Sequence, residues 1–364
     1  MSMQAEIHDD IRAVRLLSHI TMPLLAWYEK EARDLPWRTM RDPYAVWVSE
    51  IMLQQTRVEA VKPYFARFMK VYPTVGDLAE ADETQLLKLW EGLGYYSRAR
   101  NLKKAAQTVM AEYGGRLPRS YDALLTLSGI GTYTAGAIAS IAFGIPVPAV
   151  DGNVLRVVSR IVKFDDDIAD ARTKRAVTRW LTEAMPKERA GDFNQAIMDL
   201  GAMVCLPVGK ARCEICPLNM ICEAYLDDVV EAFPVKSEKK NRRIEKRTVW
   251  LLTCGDKIAI RRRPSAGLLA GMWEFPNEEG TRAMKAWRDE LALRGWQVSG
   301  LKRAGKANHI FTHIEWKMEG YWAELTEPIS EWEWVGRDEL TDVYPIPTAF
   351  RYFQQQVLAK EVQK

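Results

Sequence analysis

The chain has 364 residues, enough for two to three domains at about 150 residues each. Hydrophobic residues make up 48% and charged residues 27%, an ordinary globular balance that excludes wholesale disorder. With 51 basic against 48 acidic side chains the formal charge is only +3, so any basic surface has to come from local clustering.

The amino-terminal stretch MSMQAEIHDD is acidic and polar, without an apolar signal core behind a basic start, and the expected placement is cytoplasmic, with the nucleoid in a bacterium. From there to about residue 228 the pattern predicts helices almost throughout. Apolar residues recur at three- and four-residue spacing over 11–28, 46–72, 83–90, 102–113, 134–143, 174–185 and 193–203, with Pro36, Pro43, Pro73, Pro118, Pro146 and Pro148 between them. No charged residue lies between Asp122 and Asp151, which imitates a membrane span. The breakers Ser-Gly-Ile-Gly and Gly-Ile-Pro-Val-Pro leave only about a dozen uninterrupted residues, short of the ~20 a bilayer requires, so a buried helix is expected.

Between 231 and 247 the character changes to FPVKSEKKNRRIEKR, which has no periodic apolar face; 229–247 reads as a basic, solvated linker. Strand patterns follow at 248–253 and 257–262 around a Cys-Gly-Asp turn, then a helix-like run at 282–293, strands at 296–301, 310–318 and 321–325, and a closing amphipathic helix at 349–362. The organisation predicted is an all-α domain at 1–228 and an α+β domain at 248–364, without internal repeats.

Four of the five cysteines, Cys205, Cys213, Cys216 and Cys222, form C-x7-C-x2-C-x5-C. Four thiolates on one short loop suit either tetrahedral zinc or a four-iron cubane, since both take four soft sulfur ligands. A zinc ribbon has two short C-x2-C pairs and this loop has one, which tilts the reading toward iron–sulfur without settling it. Cys254 sits in a strand context and reads as a small core residue.

The run Leu-Thr-Leu-Ser-Gly-Ile-Gly-Thr-Tyr-Thr-Ala from Leu125 places Gly129 and Gly131 between helical segments. Such a turn can aim backbone N–H groups and the positive end of the next helix at a phosphate. Asp151, Asn153 and Arg156 follow the uncharged run in Val-Asp-Gly-Asn-Val-Leu-Arg. A carboxylate there is either a helix cap or a group with a task.

These strings, with Leu-Pro-Trp-Arg at 35–38, Trp-Val-Ser-Glu-Ile-Met-Leu-Gln-Gln-Thr-Arg at 47–57 and Trp-Glu-Gly-Leu-Gly-Tyr-Tyr-Ser-Arg-Ala-Arg-Asn-Leu at 90–102, resemble the helix–hairpin–helix, endonuclease III-like DNA glycosylases, and within them the adenine DNA glycosylases (MutY). The likeness spans nearly the whole chain and is most specific before residue 228. It implies a helix–hairpin–helix catalytic domain with the hairpin at 125–144, a [4Fe–4S] loop at 205–222 (zinc being the alternative), and a Nudix-like domain at 248–364 that reads 8-oxoguanine. The loop departs from the family in its first interval, x7 where x6 is common, a difference one loop residue absorbs. The Nudix-like part lacks the metal-binding glutamate run, having Arg-Asp-Glu-Leu-Ala-Leu-Arg-Gly at 288–295, so no pyrophosphatase activity is expected.

The implied reaction is hydrolysis of adenine's N-glycosidic bond opposite 8-oxoguanine or G in double-stranded DNA. It needs one protonated and one ionised carboxyl group, as in glycoside hydrolysis. Glu50, among apolar neighbours, takes the acid role at adenine N7, and Asp151 faces the sugar cation. The resemblance further implies that Tyr133 hydrogen-bonds within the site where bifunctional relatives carry a lysine, which makes the enzyme monofunctional, and that Asn153 orients Asp151. It places Arg33, Trp37 and Gln195 around the adenine, Gln55 and Tyr95 as wedges in the opened duplex, and Phe311, Thr312 and His313 at the 8-oxoguanine, with Thr where Ser is commonest. A monovalent cation at the hairpin, a monomeric state and no membrane partner complete the expectations. The alternatives are a related glycosylase for mismatched or oxidised bases, a non-catalytic DNA-binding module, and a Nudix phosphohydrolase.

Overall fold

The computed structural model describes residues 3–40, 42–207, 209, 211–237 and 241–359, with side chains from residue 10 onward. Residues 238–240 of the expected linker and 360–362 of the expected closing helix lie outside the described residues. Two units separate, Met1–Glu80 with Asn101–Glu238 and Ala81–Arg100 with Lys239–Lys364.

The first unit is helical, and its helix boundaries have local causes. The carboxylate of Asp42 accepts from the N–H groups of Tyr44 and Ala45 and Pro43 occupies the first turn, so the helix Pro43–Leu53 starts there. Every residue from Tyr44 to Met52 is buried, the signature of a helix apolar on all sides and set inside a domain. Thr132–Phe143 is a second such helix, packed against Pro43–Leu53. Gly136 lets the main chain at Pro148 and Ala149 close against this helix, because a Cβ there would come within 2.5 Å of the Pro148 carbonyl oxygen. Gly144, left-handed at φ 69°, ends the helix after 12 residues. The uncharged run is therefore a buried helix, and among the described residues no helix is long and apolar enough to cross a membrane.

A core of Leu17, Leu24, Val158, Phe193, Ile197 and Leu200 joins the helices Met3–His19, Thr21–Glu31, Gly152–Ile161 and Ala190–Met203. Two long patterns prove to be helix pairs. The span 11–28 breaks at Ile20, and 46–72 divides into Pro43–Leu53 and Val58–Val71 around a turn in which Gln55 takes φ 59°. At Ile20 the apolar periodicity continues through the break because both helices feed one core, with Leu17, Ile20 and Leu24 in it.

In the second unit the strands are β1 (Arg243–Cys254), β2 (Lys257–Arg262), β3 (Trp273–Glu274), β4 (Asn277–Glu279), β5 (Val298–Ile310), β6 (Ile314–Leu325) and β7 (Glu333–Val335). Their order is β3-β2-β1-β6-β5, with β4 paired to β1 and β7 to β2. β1 and β6 run parallel, in register from Arg243 opposite Ile314 to Thr253 opposite Glu324, and the remaining pairs are antiparallel. Side-chain alternation along β1 sends Val249 and Leu251 to one apolar cluster and Trp250 and Leu252 to another, so the sheet has a core on each face. β1 begins within the stretch read as linker, because main-chain pairing with β6 holds Arg243–Arg247 extended where no apolar pattern shows it. The break expected at 318–321 is absent, and β6 runs through it. The chain's last described elements are a turn of 3-10 helix, Thr348–Phe350, and the helix Arg351–Ala359.

Candidate active site

Within the first unit a cavity of about 180 Å³ is lined by Arg33, Trp37, Arg38, Glu50, Tyr133, Asp151, Asn153 and Gln195, together with apolar Val46, Leu53, Ile141 and Met198. At about 30 Å³ per water this is the volume of some six waters, the scale of one nucleobase. Seven residues singled out from the sequence meet here, from segments as distant as 33 and 195.

Glu50 is 6% exposed, since the helix that carries it is buried all round. Burial pushes its carboxyl up to about 7; the Tyr133 hydrogen bond and the Arg38 charge pull the other way, while the Asp151 charge adds to the rise. Tyr133 donates its hydroxyl to Glu50 Oε2 at 2.8 Å. Burial, followed by the charges of Glu50 and Asp151, raises the phenol well above its ordinary value, so Tyr133 stays a donor.

Asp151 caps the helix Gly152–Ile161, its Oδ1 accepting from the Val154 N–H at 2.8 Å, and it lines the cavity as well. Cap and site are the same residue. Its Oδ2 accepts from Asn153 Nδ2 at 2.9 Å. Asn153 Oδ1 in turn accepts from Arg156 Nη2 at 3.0 Å, and Arg156 also donates to the carbonyls of Gly201, at 2.7 Å, and Cys205, at 2.9 Å.

Arg38, Asp199 and Met198 belong to this site although the sequence reading left them out. Asp199 lies behind the cavity wall and is paired to both Arg33 and Arg38. A lone carboxylate in the apolar string Ile-Met-Asp-Leu-Gly was the available signal. Trp37 is packed edge-on against Phe65 with centroids 5.3 Å apart, and the Gln195 amide donates back to the Gly191 carbonyl at 3.4 Å.

The hairpin runs from the helix Tyr121–Leu125 to Thr132–Phe143. Gly129 holds φ 77°, and a Cβ there would come within 2.7 Å of Asn101 Cβ, so only glycine fits. Gly131 caps the second helix with no side chain over its first N–H groups, which leaves them free to meet an anion. Gln55 is exposed in the turn after Pro43–Leu53 with left-handed backbone.

Four further candidates lie in the second unit, around a cavity of about 540 Å³ lined by Tyr95, Phe311, Thr312 and His313 among others. Residues 311–313 form the turn between β5 and β6, closed by the Phe311 N–H donating to the Ile314 carbonyl at 2.8 Å. Phe311 is half-buried, edge-on to Trp316 at 4.9 Å, which leaves Thr312 and His313 exposed at the tip. The hydroxyls of Tyr95 and Thr312 are 3.4 Å apart. Tyr95 is left-handed at φ 49° and 51% exposed; with Gln55, both expected wedge residues occupy backbone that costs energy for a residue with a Cβ. Elsewhere in this unit Arg294 bridges Glu278 and Glu290, and Arg282 pairs with Glu290 as well.

Cys205, Cys213, Cys216 and Cys222 line one small cavity with Arg160, although among the described residues no three His, Cys, Asp or Glu side chains are grouped to hold a metal ion as they stand. Burial pushes the Cys216 thiol up to about 12 and that of Cys222 to about 11, opposed by main-chain N–H groups of Leu218 at Cys216 and of Tyr225 and Ala224 at Cys222. Arg160, 1% exposed, donates to Cys205 Sγ at 3.3 Å, and its Nη2 is buried without a partner among the described residues. Four soft sulfurs, amides aimed at them and an orphaned guanidinium N–H fit an anionic sulfur-rich group.

Residues 48–183 match the family model of HhH-GPD superfamily base excision DNA repair proteins, and residues 248–356 match the NUDIX domain. Fold and site thus define a helix–hairpin–helix base-excision repair protein with a Nudix-like domain after it. Over 358 residues the chain is 36% identical to the adenine DNA glycosylase of Rattus norvegicus, with 82% of this chain and 69% of that protein covered. It is 32% identical to that of Schizosaccharomyces pombe, with 88% and 85% covered, and 37% identical to that of Arabidopsis thaliana, with 85% and 58% covered. The chain belongs to the adenine DNA glycosylases, enzymes of base excision repair that hydrolyse the N-glycosidic bond of adenine in DNA. A thermostable thymine-DNA glycosylase of known structure superposes with a TM-score of 0.53 at 30% identity, covering 58% of this chain and 98% of that one.

Proposed function

We propose that this enzyme removes adenine paired with 8-oxoguanine, or with G, from double-stranded DNA and leaves an intact abasic site, with Glu50 as general acid and Asp151 as the group facing the sugar cation. The observation that carries the reading is that these two carboxyl groups, distant in sequence, line one cavity of nucleobase size. A base enters such a cavity only when turned out of the duplex. Glu50, held by Tyr133 at Oε2, keeps Oε1 for the proton it gives to adenine N7. Protonation turns the base into a leaving group, and the C1′–N9 bond breaks with its electron pair going to the base. The positive charge left on the sugar meets the Asp151 carboxylate, which Asn153 and the Val154 N–H hold in place, and water then adds at C1′ and gives up its proton to the Glu50 carboxylate left by the first step. Arg33, Trp37 and Gln195 enclose the adenine. Tyr133 carries no amine to form an imine, so the strand stays uncut.

Adenine is a normal base, and selectivity requires a cue from the opposite strand. Phe311, Thr312 and His313 supply it: an aromatic fixed on the core and an exposed hydroxyl and imidazole at the turn tip suit an 8-oxoguanine, with Gln55 and Tyr95 filling the opened stack. The hydroxyl donor is retained in Thr312, and its methyl restricts the rotamer. Gly129 and Gly131 present the hairpin amides to a phosphate. Cys205, Cys213, Cys216 and Cys222 hold a [4Fe–4S] cluster, which when bound supplies iron–thiolate bonds that tie 205–222 into one loop.

Incubation with a duplex containing A opposite 8-oxoguanine, with an A·T duplex as control, tests the reading. Strand cleavage after alkali on the first substrate alone is expected. Cleavage without alkali means a lyase, none at all means a binding module, and equal cleavage of A·T removes the role of residues 311–313.

A further inference from the structure

The side chain of Asp199 is fully buried on the helix Ala190–Met203, and its two oxygens collect two guanidinium groups from a distant segment. Oδ1 accepts from Arg33 Nε at 2.7 Å and Arg38 Nη2 at 2.9 Å, and Oδ2 accepts from Arg38 Nη1 at 2.7 Å and the Arg33 N–H at 3.1 Å. Arg38 Nη1 also donates to the Arg33 carbonyl at 3.1 Å, so the segment from Arg33 to Arg38 that carries Trp37 is closed on itself and tied to Asp199. Both arginines line the cavity with Glu50, whereas Asp199 stands behind them. Burial alone would push the Asp199 carboxyl up, but the hydrogen bonds and charges of Arg38 and then Arg33 outweigh it and leave the group below the usual carboxylate range.

We propose that Asp199 is a positioning residue of the excision reaction: it pins Arg33 and Arg38 to the cavity wall, fixes Trp37 between them, and cancels the Arg38 charge that would otherwise draw the proton off Glu50. The proposal rests on the reading of Glu50 as the acid. The charged and titratable groups facing Glu50 are Tyr133 on Thr132–Phe143, Asp151 at the start of Gly152–Ile161, and Arg38 on the short helix Pro36–Thr39; Arg33 acts on Tyr133. Of these, Arg38 is the cation whose charge favours the ionised form of Glu50, and Asp199 is its direct counter-charge. A cation beside a general acid favours its ionised form, and the fully buried Asp199 carboxylate paired to Arg38 offsets that charge.

The test is the pH dependence of single-turnover adenine release with enzyme in excess over an A-containing duplex. Asp199→Asn lowers the rate at pH 7.5 by about tenfold and moves the descending limb of the profile down by about one pH unit, with the rate recovering in acid. Arg38→Gln moves the same limb up. Asp199→Glu, which keeps the charge, restores most of the native profile. A purely structural Asp199 would lower the rate equally at every pH with the limb unmoved, and that result overturns the proposal. If Asp199→Asn shows no cooperative thermal transition, Arg38→Gln decides: an upward limb supports the proposal and an unmoved one ends it. Glu50→Gln separates the two readings. An inactive Glu50→Gln with an unmoved Asp199→Asn limb sinks the Asp199 role alone, whereas a Glu50→Gln enzyme that keeps its activity and limb removes the acid assignment and this proposal together.

Discussion

The Tyr133 hydroxyl and Glu50 Oε2 stand 2.8 Å apart inside the cavity that Asp151 also lines. This bond assigns the two oxygens different work. Oε2 accepts from a phenol that stays protonated, and in the proposed reaction Oε1 carries and releases the proton. Glu50→Gln keeps the shape and the acceptor but has no proton to give, so excision falls by about 10²–10⁴-fold while DNA affinity is retained. In the native enzyme the rate declines as pH rises through about 7, where Glu50 loses its proton. Single-turnover rates between pH 5.5 and 9, with gel-shift binding of the same duplex, read both effects.

The same burial makes Glu50 a liability to the fold. Its carboxyl titrates near 7 in the folded protein and near 4.5 unfolded, so between these values the folded state binds the extra proton. Stability from this group is intact below about 4.5 and is lost as pH rises through 7, by up to about 3 kcal/mol. Glu50→Gln should therefore raise Tm at pH 8 and change it little at pH 5, a stability gained where activity is lost. A Tm difference equal at both pH values would contradict the burial-driven rise.

Arg156 connects the loop of cysteines to the catalytic side of the cavity: the Cys205 and Gly201 carbonyls hold it from one end, and it holds Asn153, which holds Asp151. Arg156→Gln keeps a donor but cannot span all three acceptors. Excision should fall about tenfold with DNA binding within a few-fold of native, since Asp151 remains present but less well aimed. Asn153→Ala should lower the rate similarly, and the double variant should lose less than the sum of the two, the mark of residues acting in one chain.

The second unit should not hydrolyse nucleoside triphosphates with magnesium. Glu278 and Glu290 are each paired to Arg294, and Glu290 to Arg282 too, so guanidinium groups already engage these carboxylates, and the sequence 288–295 lacks the glutamate run that binds magnesium in Nudix hydrolases. Phosphate release from nucleoside triphosphates, followed colorimetrically with the intact chain, should not exceed a protein-free control.

What the sequence disclosed and what it withheld divide along physical lines. Local signals were legible: the strand Lys257–Arg262 and the helix Thr132–Phe143 follow from alternation, apolar periodicity and flanking glycines. The residues around Glu50 allowed either burial or the exposed face of an amphipathic helix, and the family resemblance decided between them. Features set by distant partners were not legible. Asp199 takes its meaning from Arg33 and Arg38, which no local pattern ties to it, and β1 begins at Arg243 only because β6 lies beside it. The left-handed backbone of Gln55 and Tyr95 was hidden as well, since neither residue type advertises positive φ. Seven pocket residues were assembled from the resemblance to adenine DNA glycosylases, and the fold brings those seven to one cavity.

His313 offers the sharpest separation of recognition from chemistry. It is exposed at the tip of the β5–β6 turn and belongs to a different unit from Glu50. His313→Ala should therefore leave the rate on A opposite G within a few-fold of native while the preference for 8-oxoguanine over G falls about tenfold, the worth of one or two lost hydrogen bonds. Thr312→Ser keeps the hydroxyl and frees its rotamer, so it should stay within about threefold of native on both substrates. Competition between A·8-oxoguanine and A·G duplexes in one tube measures the ratio directly, and an unchanged ratio in His313→Ala would place lesion recognition elsewhere on the protein.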